Sequence, residues 1–163
     1  MNNIKNKKVL ITGGAGFLGS HLIDYLLGKG EHEIVIFDKL EHHTPENYGK
    51  NVVYFKGNIL SRKDVRAVFK MYGPFLTVYN LAAAMPNKAV SDNVLWKTNV
   101  SGTINVVSEA IKNKAKSFIF TSSNVAYGIP QTLPATEETQ LAPLEIYGKS
   151  KARAEKELVK FKK

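Results

Sequence analysis

The sequence contains no cysteine among its 163 residues, which excludes disulfides and thiolate metal sites. Long apolar runs are also lacking. After the basic start MNNIKNKK, the apolar stretch VLIT ends at Gly13, which is too short for an export signal or a membrane span. No internal repeat, low-complexity tract or linker divides the chain. We therefore expect one domain, residues 1–163, in a reducing cytoplasm, with no membrane partner.

Acidic residues are scarce relative to basic ones. The chain has 23 Lys+Arg and 14 Asp+Glu, so its formal net charge is +9. Such a charge attracts anions in general, including nucleotides, phosphorylated sugars and nucleic acid. The basic residues are scattered except at the two ends, and arginines do not alternate with aromatic residues as in proteins that bind single-stranded RNA. We therefore predict no nucleic-acid partner.

Short β-rich runs alternate with helical patterns along the whole chain. The runs are nearly continuous in apolarity, which is typical of strands buried on both faces. Strands are expected at 8–12, 33–38, 52–56, 76–82 and 117–123, helices at 17–28, 62–72, 92–113 and 145–161, and loops at 39–51 and 128–143. Ser61 is the expected N-cap of the second helix. The alternation predicts an α/β fold with a doubly wound parallel sheet of about five strands.

Four glycines in the stretch ITGGAGFLGS lie between the first strand and the first helix. The spacing satisfies G-x-G-x-x-G through Gly14, Gly16 and Gly19, and it also satisfies T-G-x-x-G-x-x-G through Thr12, Gly13, Gly16 and Gly19. The early glycines permit a tight turn, the middle one lets amides approach a pyrophosphate, and the late one lets the helix pack close to the strand. The first N–H groups of the helix then face the phosphates. The pattern predicts a Rossmann-type dinucleotide site, and a merely sharp turn is the alternative.

Asp38 ends the second expected strand and strengthens this prediction. A carboxylate at this place accepts hydrogen bonds from an adenosine ribose and repels a 2′-phosphate, so NAD is favoured over NADP. The repulsion between Asp38 and a 2′-phosphate is reduced by the nearby Lys39, His42 and His43, so NADP stays open as an alternative. The two histidines fit a polar loop better than a metal site, and we expect no metal.

A second group of residues comes from the segment IYGKSK, which places Tyr147 and Lys151 at i and i+4 on one helix face. A free tyrosine has a pKa near 10, and lowering it to about 7 requires about 4 kcal/mol of preferential phenolate stabilisation. A nearby ammonium together with a cationic nicotinamide in a dry site supplies energies of that scale. An amphipathic helix also explains the spacing, but the glycine turn and a serine cluster after another strand favour chemistry.

These motifs resemble those of the extended short-chain dehydrogenase/reductase superfamily, in its NAD-dependent nucleotide-sugar epimerase/dehydratase group. The likeness runs over nearly the whole chain and follows the family's order: TGGAGFLGSHL, Asp38, GNI at 57–59, NLAAA at 80–84, TNVSGT at 98–103, TSSNVAYG at 121–128 and YGKSK at 147–151. The resemblance implies the N-terminal, cofactor-binding portion of such a protein, lacking the usual C-terminal substrate domain.

The resemblance also implies roles for individual residues. It implies that the cofactor contacts are Gly13, Gly16, Phe17, Leu18 and Gly19 at the pyrophosphate, Asp38 and Lys39 at the adenosine ribose, Asn58 and Ile59 at the adenine, and Leu81, Ala82, Ala83, Ala84, Asn99, Tyr147 and Lys151 further along. Ser123, Tyr147 and Lys151 become the catalytic triad. Tyr147 takes a proton from a sugar hydroxyl while hydride moves to the nicotinamide, Ser123 holds that oxygen, and Lys151 binds the nicotinamide ribose.

Four positions depart from the family's usual pattern. Asn58 and Asn80 stand where the family usually has aspartate and histidine, and Asn124 and Val125 stand where dehydratases carry acidic residues. Because valine cannot move a proton, water loss is disfavoured, and an epimerase or a simple reductase remains.

The partners implied by the resemblance are a nucleotide sugar, UDP- or dTDP-linked, and a second copy of the chain. The expected dimer forms through the helices at 92–113 and 145–161. The alternative to an enzyme is a module that binds NAD without turning over a substrate.

Overall fold

The computed structural model describes residues 8–30, 33–40, 48–87, 89–130 and 132–161. The chain divides into two compact units. Unit 1 comprises Met1–Ala82 and Asn105–Thr121, and unit 2 comprises Ala83–Ile104 and Ser122–Lys163. Among the described residues, none of the helices has the length and hydrophobicity that a membrane span requires.

Unit 1 is built on a five-stranded parallel sheet with the strand order β3-β2-β1-β4-β5. The strands are β1 (Lys8–Thr12), β2 (Glu33–Asp38), β3 (Val52–Lys56), β4 (Thr77–Asn80) and β5 (Ser117–Phe120). The order reverses beside β1, which pairs with β2 on one side and with β4 on the other. The predicted doubly wound sheet is confirmed, and ligands of such sheets bind at the point where the order reverses.

The helices are α1 (Phe17–Gly28), α2 (Arg62–Tyr72), α3 (Asp92–Trp96), α4 (Thr103–Lys112) and α5 (Ile146–Val159). A π-helical segment, Lys97–Gly102, separates α3 from α4, and a 3₁₀ turn, Asn124–Ala126, precedes α5. Ser61 is the N-cap of α2 as predicted, because its Oγ accepts a hydrogen bond from the N–H of Asp64 at 3.2 Å.

Two apolar clusters in unit 1 cover opposite faces of the sheet. Successive strand residues point to opposite faces, so a continuous apolar run supplies both clusters. One cluster joins Val9, Ile11, Ile34 and Ile36 to Ile23 and Leu26 of α1, and the other joins Leu10, Val35 and Phe37 to Val65 and Val68 of α2 and Val106 of α4.

The two edge strands differ from the prediction of burial on both faces. Val53 of β3 and Ile119 of β5 are 37% and 44% exposed, so each edge strand has a face that is not fully covered. β4 and β5 also end earlier than predicted. The ladder between β1 and β4 stops at Thr12 and Asn80. Beyond it the N–H of Leu81 still donates to the Thr12 carbonyl at 3.1 Å, whereas the N–H of Ala82 donates to the Thr12 side chain.

Unit 2 contains a change of helix type that the sequence did not predict. The helix predicted at 92–113 is confirmed as a continuous helical stretch from Asp92 to Lys112, in which the π-helical segment lies between α3 and α4. Its last part, α4, continues into unit 1. The predicted loop at 128–143 is confirmed in its described residues. Most of the loop predicted at 39–51 lies outside the described residues, as do His42 and His43.

Candidate cofactor and active sites

The predicted glycine turn joins β1 to α1 in unit 1. Gly13 has a φ of +71°, and its N–H donates to the carbonyl of Phe37 at 3.0 Å. A Cβ on Gly13 would lie 2.7 Å from the backbone N of Ala82, and a Cβ on Gly19 would lie 2.6 Å from the carbonyl oxygen of Gly13. Backbone packing therefore requires glycine at both positions.

Gly16 differs from these two, because a Cβ on it would meet one atom within 4 Å, the Gly13 oxygen at 3.3 Å. Gly16 is the N-cap of α1, with no side-chain capping bond and no acidic residue in the first turn. The N–H groups of the first turn have no acceptor within the helix and lie at the positive end of its dipole. The space beside Gly16 and these amides together fit a phosphate.

Phe17 and Leu18 are the first two residues of α1, and both have exposed side chains. The side chain of Phe17 is 80% exposed, and its ring packs on His21 with a centroid distance of 4.6 Å. Leu18 is exposed as well. Their predicted place at the pyrophosphate requires their backbone N–H groups, which lie in the first turn of the helix.

Asp38 lies at the end of β2 and is bound to the glycine turn. Its Oδ2 accepts from the N–H of Ala15 at 3.2 Å, and its Oδ1 accepts from the N–H of Leu40 at 3.0 Å. Lys39 follows it with an exposed side chain. The carboxylate therefore stands beside the site that fits a phosphate, where the sequence predicts the ribose.

Asn58 and Ile59 follow β3 in a local turn. The Oδ1 of Asn58 accepts from the N–H of Leu60 at 2.9 Å, and Asn105 donates to the carbonyl of Ile59 at 3.0 Å. Ile59 is buried. The side-chain oxygen of Asn58 therefore stabilises its own turn. The Nδ2 group and the second lone pair of that oxygen are the groups with which Asn58 could form hydrogen bonds to an adenine.

A buried polar contact beside the glycine turn was not predicted from the sequence. Thr12 Oγ1 donates to Asn80 Oδ1 at 2.9 Å and accepts from the N–H of Ala82 at 3.2 Å. The carbonyl of Asn80 accepts from Thr121 Oγ1 at 3.3 Å. These bonds set the path of Leu81 and Ala82 after β4. The threonine of the T-G-x-x-G-x-x-G pattern was the available signal.

In unit 2, α5 carries Tyr147 and Lys151 on one face, as predicted. The Nζ atom of Lys151 lies 5.8 Å from the centroid of the Tyr147 ring. Lys151 is 2% exposed. Burial lowers its pKa to about 8, and the charge of Glu155 acts in the opposite direction.

The pKa of Tyr147 bears on the expected phenolate, which required an ammonium and a cationic nicotinamide together. Burial raises this pKa above the ordinary value of 10.0. Desolvation disfavours the phenolate, and the neighbouring Lys151 does not reverse this effect. In the protein alone the ammonium therefore does not bring the tyrosine towards neutral pH, and the predicted lowering depends on the charge of a cofactor.

Asn99 lies in the π-helical segment and is 1% exposed. Its Oδ1 accepts from the N–H of Ala84 at 2.7 Å, and its Nδ2 donates to the Ala84 carbonyl at 3.1 Å and to Ser150 Oγ at 2.9 Å. Ser150 Oγ in turn donates to the carbonyl of Tyr147 at 2.7 Å. Asn99 thus holds Ala84 and the start of α5 in place, and its side chain bonds to protein rather than being directed to a ligand. Ser150 was not predicted from the sequence.

Ser123 is the N-cap of the 3₁₀ turn and has an extended backbone, and its carbonyl accepts from the N–H of Ala126 at 3.1 Å. The turn packs on the start of α5, where a Cβ on Gly148 would lie 2.6 Å from the carbonyl of Val125. The residue before it, Ser122, donates through its Oγ to Glu155 of α5. Ser123 therefore lies on a segment anchored to the helix that carries Tyr147.

The chain matches known proteins over nearly its whole length. Residues 9–163 match the NAD dependent epimerase/dehydratase family. The UDP-glucose 4-epimerase of Rhizobium meliloti is 31% identical over 149 residues, which cover 91% of this chain and 45% of that protein.

Two solved structures show the same similarity. The Bordetella bronchiseptica enzyme WbmG in complex with NAD has a TM-score of 0.88 at 30% identity, covering 98% of this chain and 51% of that one. The UDP-glucose 4-epimerase of Thermotoga maritima with UDP-glucose has a TM-score of 0.84 at 31% identity, covering 94% and 50%. The chain spans about half the length of these proteins.

Proposed function

Because the chain belongs to the NAD-dependent epimerase/dehydratase family, we propose that it is the NAD-binding and catalytic-residue portion of a nucleotide-sugar epimerase or reductase. The observation that carries the proposal is the glycine turn, in which an uncapped helix start and the Asp38 carboxylate lie together. The relatives named UDP-glucose 4-epimerase support a UDP-linked sugar, with a dTDP-linked sugar as the alternative. Residues 1–163 form one cofactor-binding domain in this proposal.

The residues of unit 1 suit a dinucleotide. The amides between Gly13 and Gly19 bind the pyrophosphate, and Gly16 leaves the space that a Cβ would fill. Asp38 accepts hydrogen bonds from the adenosine ribose, Asn58 and Ile59 contact the adenine, and 81–84 border the cofactor. When bound, NAD supplies the acceptor for a hydride from a sugar carbon.

The residues of unit 2 handle the proton in this proposal. The phenolate of Tyr147 takes the proton of the sugar hydroxyl, and Ser123 Oγ donates a hydrogen bond to the same oxygen. The ammonium of Lys151 stabilises the phenolate and binds a ribose hydroxyl. Since burial raises the pKa of Tyr147, the phenolate needs the positive charge of the oxidised nicotinamide as well.

The residues before Tyr127 favour one class of reaction. Val125 has no ionisable or hydrogen-bonding side chain, and it follows Asn124, which has no acidic group. Elimination of water needs a group that moves a proton at the neighbouring carbon. The proposal therefore favours epimerisation or reduction over dehydration.

Calorimetry with NAD and NADP tests the cofactor. We expect NAD to bind more tightly than NADP, and Asp38→Asn to weaken NAD binding about tenfold, because a hydrogen bond to a charged group contributes about 1.5–3 kcal/mol. Asp92→Asn, an exposed acidic residue of α3, is the matched control and leaves the affinity unchanged. Absence of binding of either dinucleotide would contradict the proposal.

An assay of the NAD-bound chain with UDP-sugars tests the reaction. Loss of the general base lowers turnover by about 10²–10⁴-fold, which is the expected effect of Tyr147→Phe. Unchanged turnover in this variant removes Tyr147 from its role. Tight NAD binding with no turnover of any nucleotide sugar favours the alternative, a module that holds NAD without catalysis.

Two further parts of the proposal concern assembly and location. We propose a homodimer formed through the helices within 92–113 and 145–161, and a cytoplasmic location. Light scattering tests the first, and a clean monomer at tens of micromolar would contradict it.

A further inference from the structure

Glu155 follows Lys151 by four residues on α5, so the two side chains share one helix face. Its Oε1 accepts a hydrogen bond from Ser122 Oγ, in the residue directly before Ser123. We propose that Glu155, held by Ser122, is a positioning residue that keeps the side chain of Lys151 a cation at neutral pH. This inference rests on the proposed function, because it concerns the ammonium that the proposed mechanism uses.

The burial of Lys151 makes a counter-charge necessary. An ammonium taken out of water loses hydration energy, and a buried lysine tends to give up its proton unless an anion is near. Lys151 is 2% exposed, and burial lowers its pKa to about 8. A group with that pKa is about nine-tenths charged at pH 7. If the pKa fell from about 8 to about 7, Lys151 would be about half charged at pH 7.

The surroundings of Lys151 point to Glu155 as the source of that counter-charge. The elements packed on α5 are α3, the π-helical segment and the 3₁₀ turn. Their charged residues are Asp92 and Lys97, both exposed, and the titratable group facing Lys151 on its own helix is Tyr147. Within the described part of the chain, Glu155 is the one charge that raises the pKa of Lys151.

Ser122 gives the carboxylate a fixed place. A glutamate that is partly exposed on a helix has several rotamers, and a hydrogen bond from a neighbouring segment selects one of them. The same bond ties the residue before Ser123 to α5. Glu155 therefore acts on Lys151 through its charge and on Ser123 through the neighbouring Ser122, without a role of its own at the substrate.

NMR titration of lysine ¹³Cε resonances in the labelled chain, without cofactor, tests the inference. Lys151→Met identifies the signal of Lys151. In Glu155→Gln, which keeps the size and the hydrogen-bonding oxygen, we expect the pKa of Lys151 to fall by about one. Glu155→Asp keeps the charge and restores at least half of that decrease, which a purely steric role would not do.

The matched control lies on the same helix. Glu157 pairs with Arg153 at 2.7 Å and with Lys160 at 2.7 Å, so Glu157→Gln removes an equal charge from a different set of partners. We expect it to leave the pKa of Lys151 unchanged. Ser122→Ala, an exposed site, lowers that pKa by less than Glu155→Gln does.

Two results would overturn the inference. One is an unchanged pKa of Lys151 in folded Glu155→Gln. The other concerns the case in which circular dichroism shows that Glu155→Gln is unfolded. An unchanged pKa of Lys151 in Ser122→Ala would then overturn the inference. Because the titration uses the chain without NAD, these failures are distinct from a failure of the proposed function, which appears in calorimetry with NAD.

Discussion

Unit 1 and unit 2 position their candidate functional groups by different means. Unit 1 presents backbone amides from a glycine turn above an apolar core, and in its described residues the buried polar side chains are those of Thr12 and Asn80. Unit 2 has few buried apolar residues, and it buries the polar side chains of Thr98, Asn99, Thr103, Ser150 and Lys151. An apolar, close-packed unit is sensitive to added volume, whereas a polar network is sensitive to a lost hydrogen bond or an altered charge.

The substitution Gly19→Ala, which disrupts the backbone packing of unit 1, should have the largest effect, on stability and NAD binding together. In Gly19→Ala the new Cβ would lie 2.6 Å from three backbone atoms of Gly13 and Gly14. Alanine gains about 1 kcal/mol of helix propensity over glycine, but forced overpacking costs about 3 kcal/mol here because rigid backbone must shift. We expect urea unfolding to show a net loss of about 2 kcal/mol, and calorimetry to show at least tenfold weaker NAD binding.

Gly28→Ala is the control for this change. Gly28 is the last residue of the same helix, and a Cβ on it would meet nothing within 4 Å. The variant should be as stable as the native chain or more stable by about 0.5–1 kcal/mol. Equal stability of Gly19→Ala and Gly28→Ala would contradict the claim that the short distance between a Cβ at position 19 and the backbone of Gly13 and Gly14 excludes alanine there.

A loss of stability is also expected when the hydrogen bonds of Asn99 in unit 2 are removed. Asn99→Ala removes the partner of both backbone groups of Ala84 and of Ser150 Oγ. Leaving buried polar groups unpaired costs about 1–3 kcal/mol, and we expect a loss of about 2 kcal/mol in urea unfolding. Asn93→Ala, at an exposed residue of α3, is the control, with a change within about 0.5 kcal/mol. A cost no larger than that of the control would contradict the role given to Asn99.

The smallest change in stability is expected from pH, through the buried Lys151 of unit 2. The pKa of Lys151 is about 8 in the folded chain and 10.5 in the reference state, so between these values the unfolded chain binds more protons. Stability from this group therefore rises with pH above about 8. From pH 7 to pH 9.5 we expect a gain of about 1–2 kcal/mol, which Lys151→Met lacks.

Tyr147 sets the upper limit of the pH range over which stability is expected to rise. Its pKa is raised by burial, so the folded chain keeps a proton that the unfolded chain loses above about pH 10, and stability falls there. Thermal unfolding of the native chain and of Lys151→Met at pH 7, 8, 9 and 9.5 gives the comparison. Parallel curves for the two proteins would contradict the burial of a charged Lys151.

The sequence predicts unit 1 well because its elements follow local rules. Apolar runs flanked by turn residues define β1 to β3, and the bounds of α1 and α2 follow from the glycine turn and the Ser61 cap. The ends of β4 and β5 were not predictable in this way. They depend on where pairing with β1 stops and on the side chain of Thr12, which are contacts between distant parts of the chain.

Unit 2 is harder to predict because its positions depend on buried polar contacts. The hydrophobic period of 92–113 does not distinguish an α-helix from a π-helical segment, and the contacts of Asn99 with Ala84 and Ser150 are invisible to periodicity. The face shared by Tyr147 and Lys151 was predictable from spacing. The raised pKa of Tyr147 was not, since burial is known only from the fold.

The two hydrogen bonds that Asp38 receives from Ala15 and Leu40 have a consequence for affinity. They preorganise the carboxylate, so its rotamer is chosen before any dinucleotide arrives. Immobilising a free side chain on binding costs about 0.5–1.5 kcal/mol, and about 1.4 kcal/mol is a factor of ten in a dissociation constant. In the proposed function, the ribose at Asp38 would therefore avoid an entropic cost equal to as much as a tenfold difference in the dissociation constant.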